Sequence, residues 1–237
     1  MSIPILIIIV FLAILIQAVS GSGLALVAMP LLVGLLEPVE AATLVALLAL
    51  TTQILMLMRY HHTVQLRVIW RLLVGSLVGI PIGIFALSAL DKHIILTMLG
   101  ITLISYSLYS LFVTTVPELK NPRYGYLFGF LSGLLGGAYN TSGPPAVIYG
   151  MSQHWEPAEY KGNLQAALMA NSIIVTVAHM LSGHVTPTIL NYYAVAFPVI
   201  LVAIVIGFSL DKVFNAVTFK RLVIAVLITI GVKMLLP

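Results

Sequence analysis

The stretch Asn140-Thr141-Ser142-Gly143-Pro144-Pro145 interrupts an apolar run that extends from Tyr124 to Ser152. Glycine and proline break helices, and non-helical backbone in lipid is costly unless it is buried or lines a wet cavity. The break therefore predicts two helical arms that meet at a polar point inside a membrane. A second interrupted run lies near the start. Ile3 to Leu36 is too long for one ordinary span, and it is broken at Ser20-Gly21-Ser22-Gly23.

The remaining apolar segments read as full spans, at about 41–59, 72–90, 94–113, 163–181, 189–210 and 216–236. A basic loop, Arg59 to Arg71, follows the first of them. Composition agrees: 61% of the 237 residues are hydrophobic and 8% charged, against about a quarter charged in soluble domains. About 20 apolar residues cover a hydrocarbon core. Continuous rather than alternating runs exclude a β-barrel. The predicted class is an all-α polytopic membrane protein. The net charge of +4 gives no nucleic-acid signal, because the basic residues flank spans and act as orientation signals. There is no cysteine, and adjacent His61 and His62 lack carboxylate partners, so no metal site or cofactor is expected. Met1-Ser2-Ile3-Pro4 lacks a basic n-region, so no cleaved signal peptide is expected.

The two interrupted runs begin two halves of one design. Ser22-Gly23 matches Ser142-Gly143, Glu37-Pro38 matches Glu156-Pro157, each pair closing its broken segment, and Glu40 matches Glu159. Gly79-Ile80-Pro81-Ile82-Gly83 resembles Ala203-Ile204-Val205-Ile206-Gly207, and Asp-Lys follows each. The expected halves are 1–113 and 124–237, joined by a polar cytoplasmic linker at 114–123. If each broken segment returns to its own side, three spans follow it and the halves are inverted. Arg59, Arg67, Arg71, Lys120, Arg123, Lys161, Lys212, Lys220 and Arg221 then all lie inside, with Lys92 and Lys233 outside. The positive-inside rule favours this topology, with both termini extracytoplasmic.

Inverted repeats with broken helices are a transporter architecture, and substrate binds near the midplane where the breaks meet. Each break starts a second arm with free N–H groups and the positive end of a helix dipole. Neutral donors are available nearby and no carboxylate is, so the expected ligand is a small oxyanion. The candidate substrate-binding residues are Ser20, Gly21, Ser22, Gly23, Gln53, Asn140, Thr141, Ser142, Gly143, Pro144 and Asn171. Gln17, Tyr139, His179 and Arg59 are candidates for gating or proton relay, which leaves proton coupling open. Arg59 also reads as an interfacial anchor, and Gln53 and Asn171 as interhelical hydrogen bonds. The spacing of Gly75, Gly79 and Gly83 predicts close helix packing. Two alternatives stand beside a transporter. One is an anion channel on the same site; the other is an intramembrane serine hydrolase with Ser142 as nucleophile and His179 as base.

Gly21-Ser22-Gly23-Leu24 running into Met29-Pro30-Leu31-Leu32 resembles the first-half signature of the sulfite exporter TauE/SafE family. Gly133-Leu134-Leu135-Gly136-Gly137, then Ser142-Gly143-Pro144-Pro145-Ala146-Val147, resembles its second-half signature. The resemblance implies a transporter, not an enzyme, in the plasma (inner) membrane of a bacterium or archaeon. Its substrate would be sulfite, a sulfonate or a related sulfur-containing anion, usually moved outward. The lipid bilayer and that small anion are the expected partners; the oligomeric state is not legible in the sequence.

Overall fold

A computed structural model describes residues 2–113, 116–210 and 216–235, without the side chains of 216–220 and Leu222. The described residues contain helices and no strand. In chain order the helices are α1 (Ile3–Ser20), α2 (Leu24–Val33), α3 (Pro38–Tyr60), α4 (Leu66–Ala89), α5 (Lys92–Phe112), α6 (Arg123–Tyr139), α7 (Gly143–Ser152), α8 (Pro157–Leu181), α9 (Pro187–Leu210) and α10 (Ala216–Leu235). Among them, α1, α3, α4, α5, α8 and α9 are long and apolar enough to cross a membrane. Large apolar side chains such as Phe85, Ile101 and Val205 face outward, as lipid contact requires. The chain is thus a polytopic helical membrane protein.

Both interrupted runs are broken where expected. α1 ends at Gly21, whose φ of 78° is left-handed. α6 ends at Asn140 with φ 56°, and the N–H groups of Asn140 and Thr141 return to the Gly136 and Leu135 carbonyls. A left-handed residue closes helices in this way because it turns the chain back over its last free carbonyls.

Two boundaries differ from expectation. Glu37-Pro38 and Glu156-Pro157 begin α3 and α8 rather than closing the broken segments. Proline suits the first helical position because its missing N–H has no partner there anyway. Glu37 and Glu40 add a capping box at the start of α3. The expected basic loop is also shorter: α4 begins at Leu66, so Arg67 and Arg71 ride on its first turns. Of the linker, residues 114–115 lie outside the described residues; Leu119 pairs with Ser152 and Gln153 at the end of α7. Residues 211–215, with Lys212, expected on the cytoplasmic side of the membrane, also lie outside the described residues.

The helix pairs are set by small residues. α4 and α6 run parallel, with Gly75, Gly79 and Gly83 against Gly129, Gly133 and Gly137. A Cβ on Gly79 would overlap the Phe130 carbonyl, and one on Gly137 the Ile80 carbonyl. Ser76 adds a hydrogen bond to the Gly129 carbonyl at 3.0 Å. α1 lies on α9, where Gly207 abuts Ala18. α5 lies on α10 through Gly100 and Gly231. α3 and α8 run antiparallel: Thr43 meets His179 at one end, and Thr63, just past α3, meets Gly162 at the other.

Candidate functional site

The two breaks meet. A Cβ on Gly143 would lie 3.5 Å from the Ser22 Cβ. Around this point lies a cavity of about 30 Å³, small beside the pockets of several hundred Å³ that hold drug-sized ligands. Gln17, Ser22, Gly23, Leu24, Ala25 and Leu26 line it from the first hairpin; Asn140, Thr141, Ser142 and Gly143 line it from the second. Ala49 and Gln53 of α3 and Leu168, Ser172 and Val175 of α8 complete the wall. The starts of α2 and α7 both open onto this space. Among the described residues, no Asp, Glu, Lys, Arg or His lines it.

The first break is held by side chains from two directions. Gly23 has φ 138°, a conformation closed to other residues. Ser20 donates to the Ile16 carbonyl at 2.7 Å and also bonds the Ser22 carbonyl. The Gln17 carboxamide spans the break: its oxygen accepts from Leu24 N–H at 3.1 Å and its nitrogen reaches the Gly21 carbonyl at 3.3 Å. Gln165 of α8 donates to that same carbonyl at 2.6 Å. Bond-free backbone at membrane depth needs such internal partners.

The second break is held differently. Asn140 Nδ2 donates to the Ala42 carbonyl of α3 at 2.6 Å. Thr141 donates to the Tyr139 carbonyl at 3.1 Å. Asn171 Nδ2 donates to Ser132 Oγ at 3.2 Å, and Ser132 donates to the Ser142 carbonyl at 2.8 Å. A Cβ on Gly136 would overlap the Ser142 hydroxyl, so this glycine makes room for the tip. Pro144 and Pro145 occupy the first turn of α7, where no N–H is required.

Of the candidate residues, Ser22, Gly23, Gln53, Asn140, Thr141, Ser142 and Gly143 line the cavity, as does Gln17. Gln53 is 6% exposed, and its Oε1 has no partner among the described residues. Ser20, Gly21, Pro144 and Asn171 are set back: the first two shape the bend, and Asn171 acts through Ser132. Tyr139 is buried at the end of α6 and does not line the cavity. His179 lies further along α8, its Nδ1 3.2 Å from Thr43 Oγ1 and 3.0 Å from His184 Nδ1. Arg59 lies over the Tyr60 and Phe208 rings, 5.5 and 4.4 Å from their centroids, as an interfacial anchor would.

Three polar residues escaped the sequence reading: Gln165, Ser132 and Ser172. Gln165 carried a usable signal, a carboxamide inside an apolar run six residues before Asn171. The serines carried none, because isolated serines are common in helices packed on small residues.

The family model of the sulfite exporter TauE/SafE matches residues 6–234. The chain belongs to this family. TauE/SafE is a family of exporters, so the chain is a membrane transporter and the hydrolase reading falls. A similar protein is the probable sulfite/organosulfonate exporter TauE of Cupriavidus necator. It is 27% identical over 227 residues, which cover 93% of this chain and 89% of that protein. No solved structure matches this TauE/SafE chain.

Proposed function

We propose that this chain is a secondary transporter that exports a small sulfur-containing oxyanion, sulfite or an organosulfonate, from the cytoplasm of a bacterium or archaeon. The observation that carries this is the meeting of two helix N-termini at one uncharged polar cavity. Aligned peptide dipoles at these N-termini attract negative charge, and no carboxylate among the described lining residues is there to neutralise a bare cation. The names of the family and of the Cupriavidus protein supply the sulfur.

The two halves, 1–113 and 124–237, are inverted repeats about a linker at 114–123, and alternating access comes from one moving against the other. The packing supports this, since partners exchange consistently. α4 lies on α6 as α9 lies on α1, α4 meets α8 as α9 meets α3, and the equivalent helices α3 and α8 run antiparallel. Glu37 and Lys92, 3.3 Å apart, belong to the outer side with both termini. Residues 63–65, which bond Ala158, Glu159 and Asn163, belong to the cytoplasmic side.

Sulfite efflux from proteoliposomes tests the function. Saturation and counterflow identify a transporter; unsaturable flux without counterflow identifies a channel instead. Ser142→Ala is expected to weaken anion binding while the protein stays folded, and unchanged efflux would remove the site from this cavity. Because the chain has no cysteine, single Lys92→Cys and Lys120→Cys variants report topology. The first should label from outside and the second from the cytoplasm; the reverse would overturn the orientation.

A further inference from the structure

We propose that the cavity selects a singly charged oxyanion that still carries a hydrogen, hydrogensulfite being the simplest, over a dianion such as sulfate. This rests on the anion-transporter reading above and names the protonation state of its substrate.

The first argument is charge balance. No cationic side chain lines the cavity. The positive potential there comes from the N-termini of α2 and α7, ten residues each. Each is equivalent to roughly half an elementary charge, so the pair supplies about one. A monoanion is neutralised by that amount; a dianion keeps a whole charge in a low-dielectric site, and desolvation penalties rise steeply with charge.

The second argument is the direction of the Asn140 amide. A carbonyl only accepts, so the 2.6 Å contact with the Ala42 carbonyl fixes Nδ2 on that side. Asn140 lines the cavity and keeps, besides its second Nδ2 hydrogen, the acceptor Oδ1; Gln53 Oε1, buried and without a partner among the described residues, is a second acceptor on the same wall. An acceptor beside a fully deprotonated oxyanion repels it. Beside an anion that bears an O–H group it completes a hydrogen bond.

The titratable groups of the surrounding helices do not line the cavity. They include Tyr106 of α5, paired with Ser22, and Tyr109; Tyr192 of α9 and Tyr193, paired with Thr51; Arg123, Tyr124, Tyr126 and Tyr139 of α6; Tyr149 of α7; and Glu159, Tyr160, Lys161 and His179 of α8. α1 and α2 carry none, and α3 carries its own at its ends. The pH dependence of binding therefore belongs to the ligand.

Calorimetric titration of the purified full chain with sulfite, methanesulfonate and sulfate, from mildly acidic to mildly basic pH, tests this. Methanesulfonate is a monoanion throughout and has no donor. Sulfite affinity should fall about tenfold per pH unit once the ligand loses its second proton. Methanesulfonate affinity should stay flat and lie below that of hydrogensulfite, and sulfate should bind at least about tenfold more weakly than methanesulfonate. Asn140→Gly keeps the left-handed backbone accessible and removes the acceptor, so it should lower the preference for hydrogensulfite over methanesulfonate. Sulfate binding as tightly as methanesulfonate, or sulfite binding that strengthens with pH, overturns the charge argument and leaves the anion site standing. An unchanged preference in a folded Asn140→Gly protein overturns the acceptor argument. Failure of sulfite and methanesulfonate to bind at any pH overturns the anion site itself, and this inference with it.

Discussion

The two breaks solve one problem with different chemistry. At 20–23 the chain bends through two glycines with positive φ, and the released Gly21 carbonyl is held by Gln17 and by Gln165 of α8. At 140–142 a single left-handed Asn140 makes the bend and its own side chain ties it to α3. The first break borrows its rigidity from amides elsewhere; the second carries part of it within the turn and draws the rest from Ser132. In each case an amide links a break to a long helix, Gln165 of α8 to Gly21 and Asn140 to Ala42 of α3. The hairpins are thus coupled across the cavity, so a shift of α3 against α8 must move both tips.

The largest expected effect breaks the glycine-dependent side. Gly23→Val places a β-branched residue at φ 138°, with its Cβ about 3.1 Å from Ile16 Cγ2. Strain of this kind costs on the order of 1–3 kcal/mol before any clash is counted. A lower melting temperature in detergent and loss of sulfite efflux would both be expected; wild-type efflux would show that the bend does not need glycine.

Next is the borrowed tie. Gln165→Leu leaves the Gly21 carbonyl with the longer Gln17 bond alone, and an under-satisfied buried acceptor costs about 1–3 kcal/mol. Thermal unfolding reads the loss, and anion affinity should fall with it because Ser22 and Gly23 lose their support. The corresponding cut on the other side, Ser132→Ala, frees the Ser142 carbonyl and orphans Asn171. About 1 kcal/mol is expected, with weaker anion binding; equal binding in folded protein would make that chain of bonds purely structural.

The smallest effect sharpens the contrast. Gly21 has φ 78°, and a Cβ there meets only Gln165 Nε2, at 3.7 Å. Asparagine tolerates this region, so Gly21→Asn should retain efflux and shift the melting temperature little. A collapse comparable to Gly23→Val would show that the two glycines are equally constrained.

Much of this was legible in the residues. The apolar helices, both break positions and the role of the Gly75, Gly79 and Gly83 stripe follow from run length, helix breakers and small-residue spacing, which act locally. The Glu-Pro pairs were misread as stops because proline punctuates a chain at either side of a helix; their place at the start follows from the free first-turn amides. Asn171, a candidate by sequence, does not line the cavity and donates to Ser132 instead, because position along a helix does not fix which way a side chain faces.

The sequence by itself determined that this chain crosses a membrane in helices and that two of its hydrophobic runs are interrupted by groups unable to stay helical in lipid. Those are consequences of composition and local backbone preference. Only the tertiary structure decided that the interruptions touch, that Gln165 and Ser132 hold them, and that the Asn140 nitrogen is tied to the Ala42 carbonyl. Those facts depend on hydrogen bonds between residues roughly ten to over a hundred positions apart. An amide has two chemically opposite ends, and which end faces a ligand is fixed by its neighbours in space.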